Sequence, residues 1–481
     1  MSGGLRAAWI CALVAVCNAA CWSILTYAFQ APDEPDHYAY VKQLAETASL
    51  PSNGLEQLSG EEELALEGLR YRDVRELPED PAITSSPEAR ELHRDLRLAA
   101  QEHDTGSASA GVAQSEPPLY YAIEAIPYTL ASGDSMLGRL QLMRLTSALL
   151  AGVTAMFVFL FAREALPGGP PRVWCAAGLA VALVPLLGFM SGAVNPDALL
   201  YAVSAAVFYF LARAFRRGFD RRGALTIGAL VAVGLLTKLN FIGLVPGVFL
   251  GLVVLTVRAA RARGRTAYRL LALALGVALS PVAAYAAVNA LSDHPPFGIV
   301  SAAVQTLHGS VLSELNYIWQ LYLPHIPGTV NDFPGISMLR EVWFRGYVGL
   351  YGWFDTTFPG WVYTLALLPA TAIAVLCARE LLRERLALRR RAGELATYAA
   401  VAVGLLGLIG ADSYHEFPMF DASYAQVRYL LPLLALFGAA LALAVRGAGR
   451  RFGPVAGAAL VVLFLAHDVF SQLLVVGRYY G

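Results

Sequence analysis

Runs of about twenty residues without an ionised side chain recur along this chain, separated by short arginine-rich stretches, and that alternation admits few folds. In water such runs would collapse onto one another; in a bilayer each has the length a helix needs to cross the hydrocarbon core. The chain is 57% hydrophobic and only 15% charged, so its apolar surplus needs lipid to cover it. Its formal net charge is zero, which argues against nucleic acid as a partner. All five cysteines (Cys11, Cys17, Cys21, Cys175, Cys377) fall in or beside apolar runs, so neither a disulfide framework nor a thiolate metal site is expected.

The pattern predicts an all-α integral membrane protein, a single polytopic bundle over residues 1–481 with about eleven transmembrane helices. The spans fall near 7–29, 140–162, 173–192, 197–212, 223–239, 240–257, 270–291, 359–377, 395–410, 428–445 and 453–476. The first run is longer than the apolar core of a cleaved signal, so it is read as a retained span. With the N-terminus in the cytoplasm, the clusters Arg213 to Arg222, Arg258 to Arg269, Arg379 to Arg391 and Arg446 to Arg451 all fall inside, as the positive-inside rule requires.

Two stretches are too long and polar to be turns, 30–139 and 292–358, and this orientation makes both extracytoplasmic loops with interfacial helices. In the first, Tyr38, Val41, Leu44, Ala45 and Ala48 share a helical face with Lys42, Gln43 and Glu46 elsewhere, which predicts a helix lying on the bilayer surface. The stretch from Pro117 to Ala131, which contains Glu124, is a second such helix.

The densest polar cluster lies where the first span leaves the membrane: Asp33, Glu34, Asp36 and His37 within five positions. A helix beginning at Pro35 would leave Asp33 or Glu34 as its cap, so one reading of these carboxylates is helix capping. The other is that one of them is a general base held at the membrane surface. This segment, PDEPDHY, is followed by SEPPLYYAI (Ser115–Ile123), MRLTSALLAG (Met143–Gly152), GFMSGAVNPDALL (Gly188–Leu200), GLLTKLN (Gly234–Asn240) and QVRYLLPLL (Gln426–Leu434). In order and spacing the series resembles the GT-C class of membrane glycosyltransferases. It is similar, more closely, to a bacterial family of predicted membrane proteins with a Pro-Asp-Glu-Pro-x-His signature after the first span.

The resemblance implies transfer of a sugar from a polyprenyl-phosphate donor to an extracytoplasmic acceptor, with inversion, in a bacterial inner membrane. It puts the catalytic base on Asp33, with Glu34 beside it. The departing phosphate then needs a cation near its developing charge, and the basic residues placed for that are Arg428, Lys238 and Arg144, with Arg345 in the second loop. Each could equally snorkel or form a structural ion pair.

Asn195 and Asp197 sit in a short turn that faces the cavity in this class, although Asp197 could instead cap the fourth span. Tyr120, His37 and His325 are further substrate-binding candidates. A divalent cation is the one cofactor considered, and His37 or His325 with His415 and Glu416 could bind it, though Asp412, His415, Glu416 and Asp421 also read as a solvated loop. Glu116 stands where many relatives carry histidine or glutamine, which leaves contacts from that loop open. The competing functions are a transporter or flippase of lipid-linked saccharides, which would show broken ionisable helices and repeat symmetry, and a non-catalytic subunit of envelope polysaccharide assembly.

Overall fold

Each apolar run becomes a helix, because a backbone in lipid must satisfy its hydrogen bonds internally. The computed structural model describes residues 3–51, 58–76, 82, 86–99, 110–291, 310–420 and 425–481. In chain order the helices begin with α1 (Gly3–Leu25), α2 (Glu34–Thr47), α3 (Gly60–Gly68), α4 (Tyr71–Glu76), α5 (Ser86–Ala99), α6 (Leu119–Leu130) and α7 (Met136–Ala165). There follow α8 (Pro171–Ala182), α9 (Pro185–Ser191), α10 (Asp197–Arg217), α11 (Arg221–Thr237), α12 (Val245–Arg263) and α13 (Tyr268–Leu291). Beyond these lie the helices Val311–Tyr322, Gly360–Arg383, Ala392–Phe420, Leu434–Gly447 and Gly449–Tyr480.

Among the described residues nine helices are long and apolar enough to cross a membrane, and ten if the bent pair α8 and α9 is one span. The eleventh expected segment is α11, whose 17 residues sit at the short limit for a crossing. The protein is thus an all-α, multi-pass membrane protein.

Two breaks shape the part of the bundle that matters most. Between α8 and α9 the axis turns by 53°, at a point where Pro185 lacks the N–H that would continue the ladder. The short α9 then delivers Gly192 to Asp197 as a turn buried within the bundle. There the Asn195 side chain accepts from the Asp197 N–H at 3.0 Å, an Asx turn that leads into α10, and Asp197 opens the helix without capping it, so its carboxylate is left for other partners.

The helix predicted to lie on the surface, α2, is instead packed inside: His37, Tyr38, Tyr40, Val41 and Lys42 are all buried. Of its polar side Lys42 is buried too, because it meets charge from α3, the ammonium reaching the Ser59 hydroxyl at 2.5 Å and Glu61 at 3.8 Å, while Glu46 stays exposed. Asp412, His415 and Glu416, read as a loop, belong to the helix Ala392–Phe420, which continues because Ser413 and Tyr414 pack on Tyr317. Asp421 and the side chain of Glu416 lie outside the described residues.

Small residues let the spans approach closely. A Cβ at Gly247 in α12 would overlap the backbone nitrogen of Val401, whereas one at Gly276 in α13 meets nothing within 4 Å. Gly247→Val is therefore expected to abolish the monodisperse folded fraction on size exclusion in detergent while Gly276→Val retains it. Equal yields from both would contradict this packing.

Candidate functional site

The chain leaving α1 is fixed by one buried ion pair. Arg144, in the third turn of α7, donates through Nε to Glu34 Oε1 at 2.7 Å and through Nη2 to Oε2 at 2.5 Å. Its remaining N–H groups go to the carbonyls of Ser23, Thr26 and Tyr27 at 3.0, 2.8 and 3.2 Å. Glu34 also accepts from the backbone N–H groups of Phe29 at 3.1 Å and Val194 at 3.0 Å. Every strong hydrogen-bonding position of both side chains is thus used inside the protein, and Glu34 has no exposed surface. Glu34 and Arg144 hold the fold together here, and neither is free for a substrate.

Asp33 is in the opposite situation. It occupies the cap position of α2 in the left-handed region, φ 63°, and its side chain makes no capping bond. A non-glycine residue held there stores strain, and Asp is one of the few that tolerate it. The strained backbone turns the carboxylate away from α2 and onto Arg428, whose Nη2 donates to Oδ2 at 2.7 Å. The capping interpretation therefore fails for Asp33.

Around this pair three other stretches of chain converge. Arg428 Nε lies 3.9 Å from Asp197 Oδ2, and Nη2 lies 3.3 Å from the Tyr429 hydroxyl. Tyr201 donates to the Arg428 carbonyl at 3.1 Å, which seats the residue in the bundle. Lys238, where α11 ends, places Nζ 2.9 Å from Asp197 Oδ1 and 4.0 Å from Glu116 Oε1. The other Glu116 oxygen accepts from the Leu239 N–H at 3.3 Å. Asn195 donates to the Pro32 carbonyl at 3.3 Å, tying the turn before α10 to the segment that carries Asp33. His37 Nδ1 and the Tyr121 hydroxyl are 2.9 Å apart.

Three carboxylates thus face two cations, all largely buried. Burial alone would raise the Asp33 carboxyl, but Arg428, through its charge and its hydrogen bond, and Lys238 outweigh it and leave Asp33 below its ordinary range. Burial pushes Glu116 up, with Asp197 and Asp33 adding to the effect against the pull of Lys238. His37 is driven down to about 3, first by burial and further by Lys238 and Arg428, so it is a neutral imidazole at physiological pH. The arrangement leaves one marked deficit: Arg428 is 4% exposed, yet Nε and Nη1 have no hydrogen-bond partner, and neither does Asp197 Oδ2. Buried guanidinium N–H groups left unpaired are expensive, so a site that has them is built for an acceptor.

Of the residues singled out from sequence, Asp33, His37, Asn195, Asp197, Lys238 and Arg428 converge. Arg345 is held by Glu341 at 2.6 Å and stands over the Tyr363 ring, because a helical spacing of four makes Glu341 its neighbour. His325 is exposed and contacts the Thr329 carbonyl. Tyr120 bonds to Ser147 at 2.6 Å, and Ser147 in turn donates to Glu124 at 2.8 Å. His415 lies against Tyr414. Of the proposed cation set, the Glu416 side chain lies outside the described residues, and among the described residues no three His, Cys, Asp or Glu gather as ligands, so His37, His325 and His415 do not form a metal site with one another. Glu116 is the residue that sequence reasoning passed over. Its position immediately before the paired prolines, in a motif already singled out, was the available signal.

Two outcomes follow from these partners. Glu34→Gln leaves the Arg144 guanidinium buried and under-paired, so it should lower stability by about 3–5 kcal/mol in detergent unfolding, and Asp33→Asn by much less. Equal losses would contradict the division of labour. Glu124 is fully buried and pushed up to about 8 by that burial, whereas an unfolded carboxyl ionises near 4.5. The unfolded state therefore releases the proton first, and stability falls as pH rises from about 4.5 until the folded group ionises near 8. Glu124→Gln should raise the melting temperature at pH 8 and leave it little changed at pH 4; the same shift at both would refute this.

No curated protein matches the chain. Residues 17–437, which include every residue of the convergent cluster, match the family described as Predicted membrane protein (DUF2142). That stretch covers most of the 481 residues, and the chain belongs to this family of predicted membrane proteins.

Proposed function

We propose that the chain is a membrane glycosyltransferase that moves a sugar from a polyprenyl-phosphate donor to an acceptor on the extracytoplasmic face of a bacterial inner membrane. The observation that carries this reading is the buried Arg428, with two N–H groups unpartnered and a carboxylate on its third nitrogen. A sugar phosphate needs this combination: a cation for the departing phosphate and a base for the incoming hydroxyl.

In the reaction the acceptor oxygen forms a bond to the anomeric carbon while the bond from that carbon to the phosphate oxygen breaks. The electron pair leaves with the phosphate, against Arg428 and Lys238, and the acceptor proton passes to Asp33. While Asp33 is paired with Arg428 it is a weak base. A phosphate on Arg428 draws part of that charge away and raises the basicity of Asp33, so donor binding readies the base. His37, neutral and buried, orients donor or acceptor hydroxyls without adding charge. The arginine-rich breaks at the opposite ends of the spans support a cytoplasmic N-terminus, with the cluster on the other side.

Asp33→Asn is expected to reduce turnover of polyprenyl-phosphate sugars at least about a hundredfold, the scale of a positioned general base, with the donor still bound. Arg428→Lys should weaken donor binding as well. Turnover retained by well-folded Asp33→Asn would remove Asp33 from this role.

A further inference from the structure

The charges in the cluster do not balance. Asp33, Asp197 and Glu116 bring three carboxylates to the two cations Arg428 and Lys238, with His37 beside them as a neutral imidazole. With all three carboxylates ionised, one negative charge is left over. A donor phosphate diester on the unpartnered N–H groups of Arg428 brings a second. Surplus charge held out of water is costly, and the nearest remedy is a proton on one of the carboxylates.

The three carboxylates are not held alike. Asp33 accepts from Arg428 Nη2 at 2.7 Å, and Asp197 meets Lys238 Nζ at 2.9 Å, with Arg428 Nε 3.9 Å from its other oxygen. Glu116 has Lys238 only at 4.0 Å and one backbone N–H, from Leu239, at 3.3 Å. Its charge is therefore the least compensated of the three, and it keeps 16% of its side-chain surface, through which a proton can arrive. The groups that face it are Lys238 from the end of α11, Asp197 from α10, Asp33 from the segment before α2, and the phenols of Tyr40, Tyr121 and Tyr285 from α2, α6 and α13. Phenols ordinarily ionise near about 10 and carry no charge here. Among these side chains one cation favours the Glu116 anion and two carboxylates oppose it. Burial pushes the Glu116 carboxyl up, and Asp197 and Asp33 add to that effect.

We propose that the donor phosphate enters this site together with one proton, and that Glu116 takes that proton up. This rests on the reading of Arg428 as the donor-phosphate site. A proton on Glu116 restores the resting charge of the cluster once the phosphate has arrived, and it leaves Asp33 unprotonated for the acceptor hydroxyl. Uptake on binding means that Glu116 ionises at a higher pH in the complex than in the free protein. Donor affinity is then full below the free value and is lost as pH rises from the free value to the bound one.

The full-length protein in detergent can be titrated by calorimetry with farnesyl methyl phosphate, a diester with one negative charge at every pH from about 5 to 8, in buffers of different ionisation enthalpy. The heat that varies with the buffer counts the protons. The wild type should take up as much as about one proton, and its Kd should rise by up to about tenfold for each step of one in pH across that window. Glu116→Gln keeps the shape of the side chain and an acceptor for the Leu239 N–H; it should take up none and hold a Kd near the low-pH wild-type value throughout. No uptake by the wild type, an outcome that needs no variant to fold, or uptake that persists in Glu116→Gln, would overturn the proposal. Arg428→Ala separates that failure from failure of the donor site. If it weakens binding at least about tenfold while the wild type takes up no proton, the donor site stands and the role of Glu116 falls. If it leaves binding unaltered, the donor site falls and this inference with it.

Discussion

The buried pair between Glu34 and Arg144 is the constraint on which the rest depends. A charge taken out of water is tolerated only when nearly every hydrogen-bonding position is met, and here one guanidinium meets a carboxylate and three carbonyls at the point where α1 ends. The chain beyond α1 therefore has one path. Val194, reached through the bend between α8 and α9, closes the arrangement from the other side. Strain at Asp33 is affordable because the residue next to it is over-determined.

That division between neighbours is the structural lesson. Asp33 and Glu34 are adjacent and chemically alike, yet one faces inward to a permanent partner and the other faces a cation with spare donors. The left-handed conformation at Asp33 is what separates them, since it rotates the side chain off the helix it precedes. A single carboxylate in a helical cap would have been satisfied by backbone N–H groups and chemically quiet.

Much of this could be read from the chain itself. The alternation of apolar runs and arginine breaks carried the membrane class, and the charges placed at span ends, Lys238, Asp197 and Arg428, do meet. The split between Asp33 and Glu34 was not legible, because it rests on a backbone angle and on Arg144, which is 110 residues away. The burial of α2 was missed for a related reason. Helical periodicity places Lys42 on a polar face, but it cannot show that Ser59 and Glu61 will cover that side chain. Glu116 was recognised as a departure rather than as a participant, since only the fold brings it to Lys238 and the Leu239 N–H. Conversely, Arg345 and His325 were singled out for side-chain type alone, and local partners claim them.

The central claim is that the unpaired donors of Arg428 receive the phosphate of a lipid-borne sugar donor, and a structure of the protein in a lipid nanodisc with a polyprenyl-phosphate sugar tests it most directly. The account predicts the phosphate within hydrogen-bond distance of Arg428 Nε or Nη1, with Lys238 nearby and the Asp33 carboxylate turned toward the anomeric carbon. A phosphate bound elsewhere, with Arg428 still closed on Asp33 and no groove linking the two to the acyl region, would contradict it.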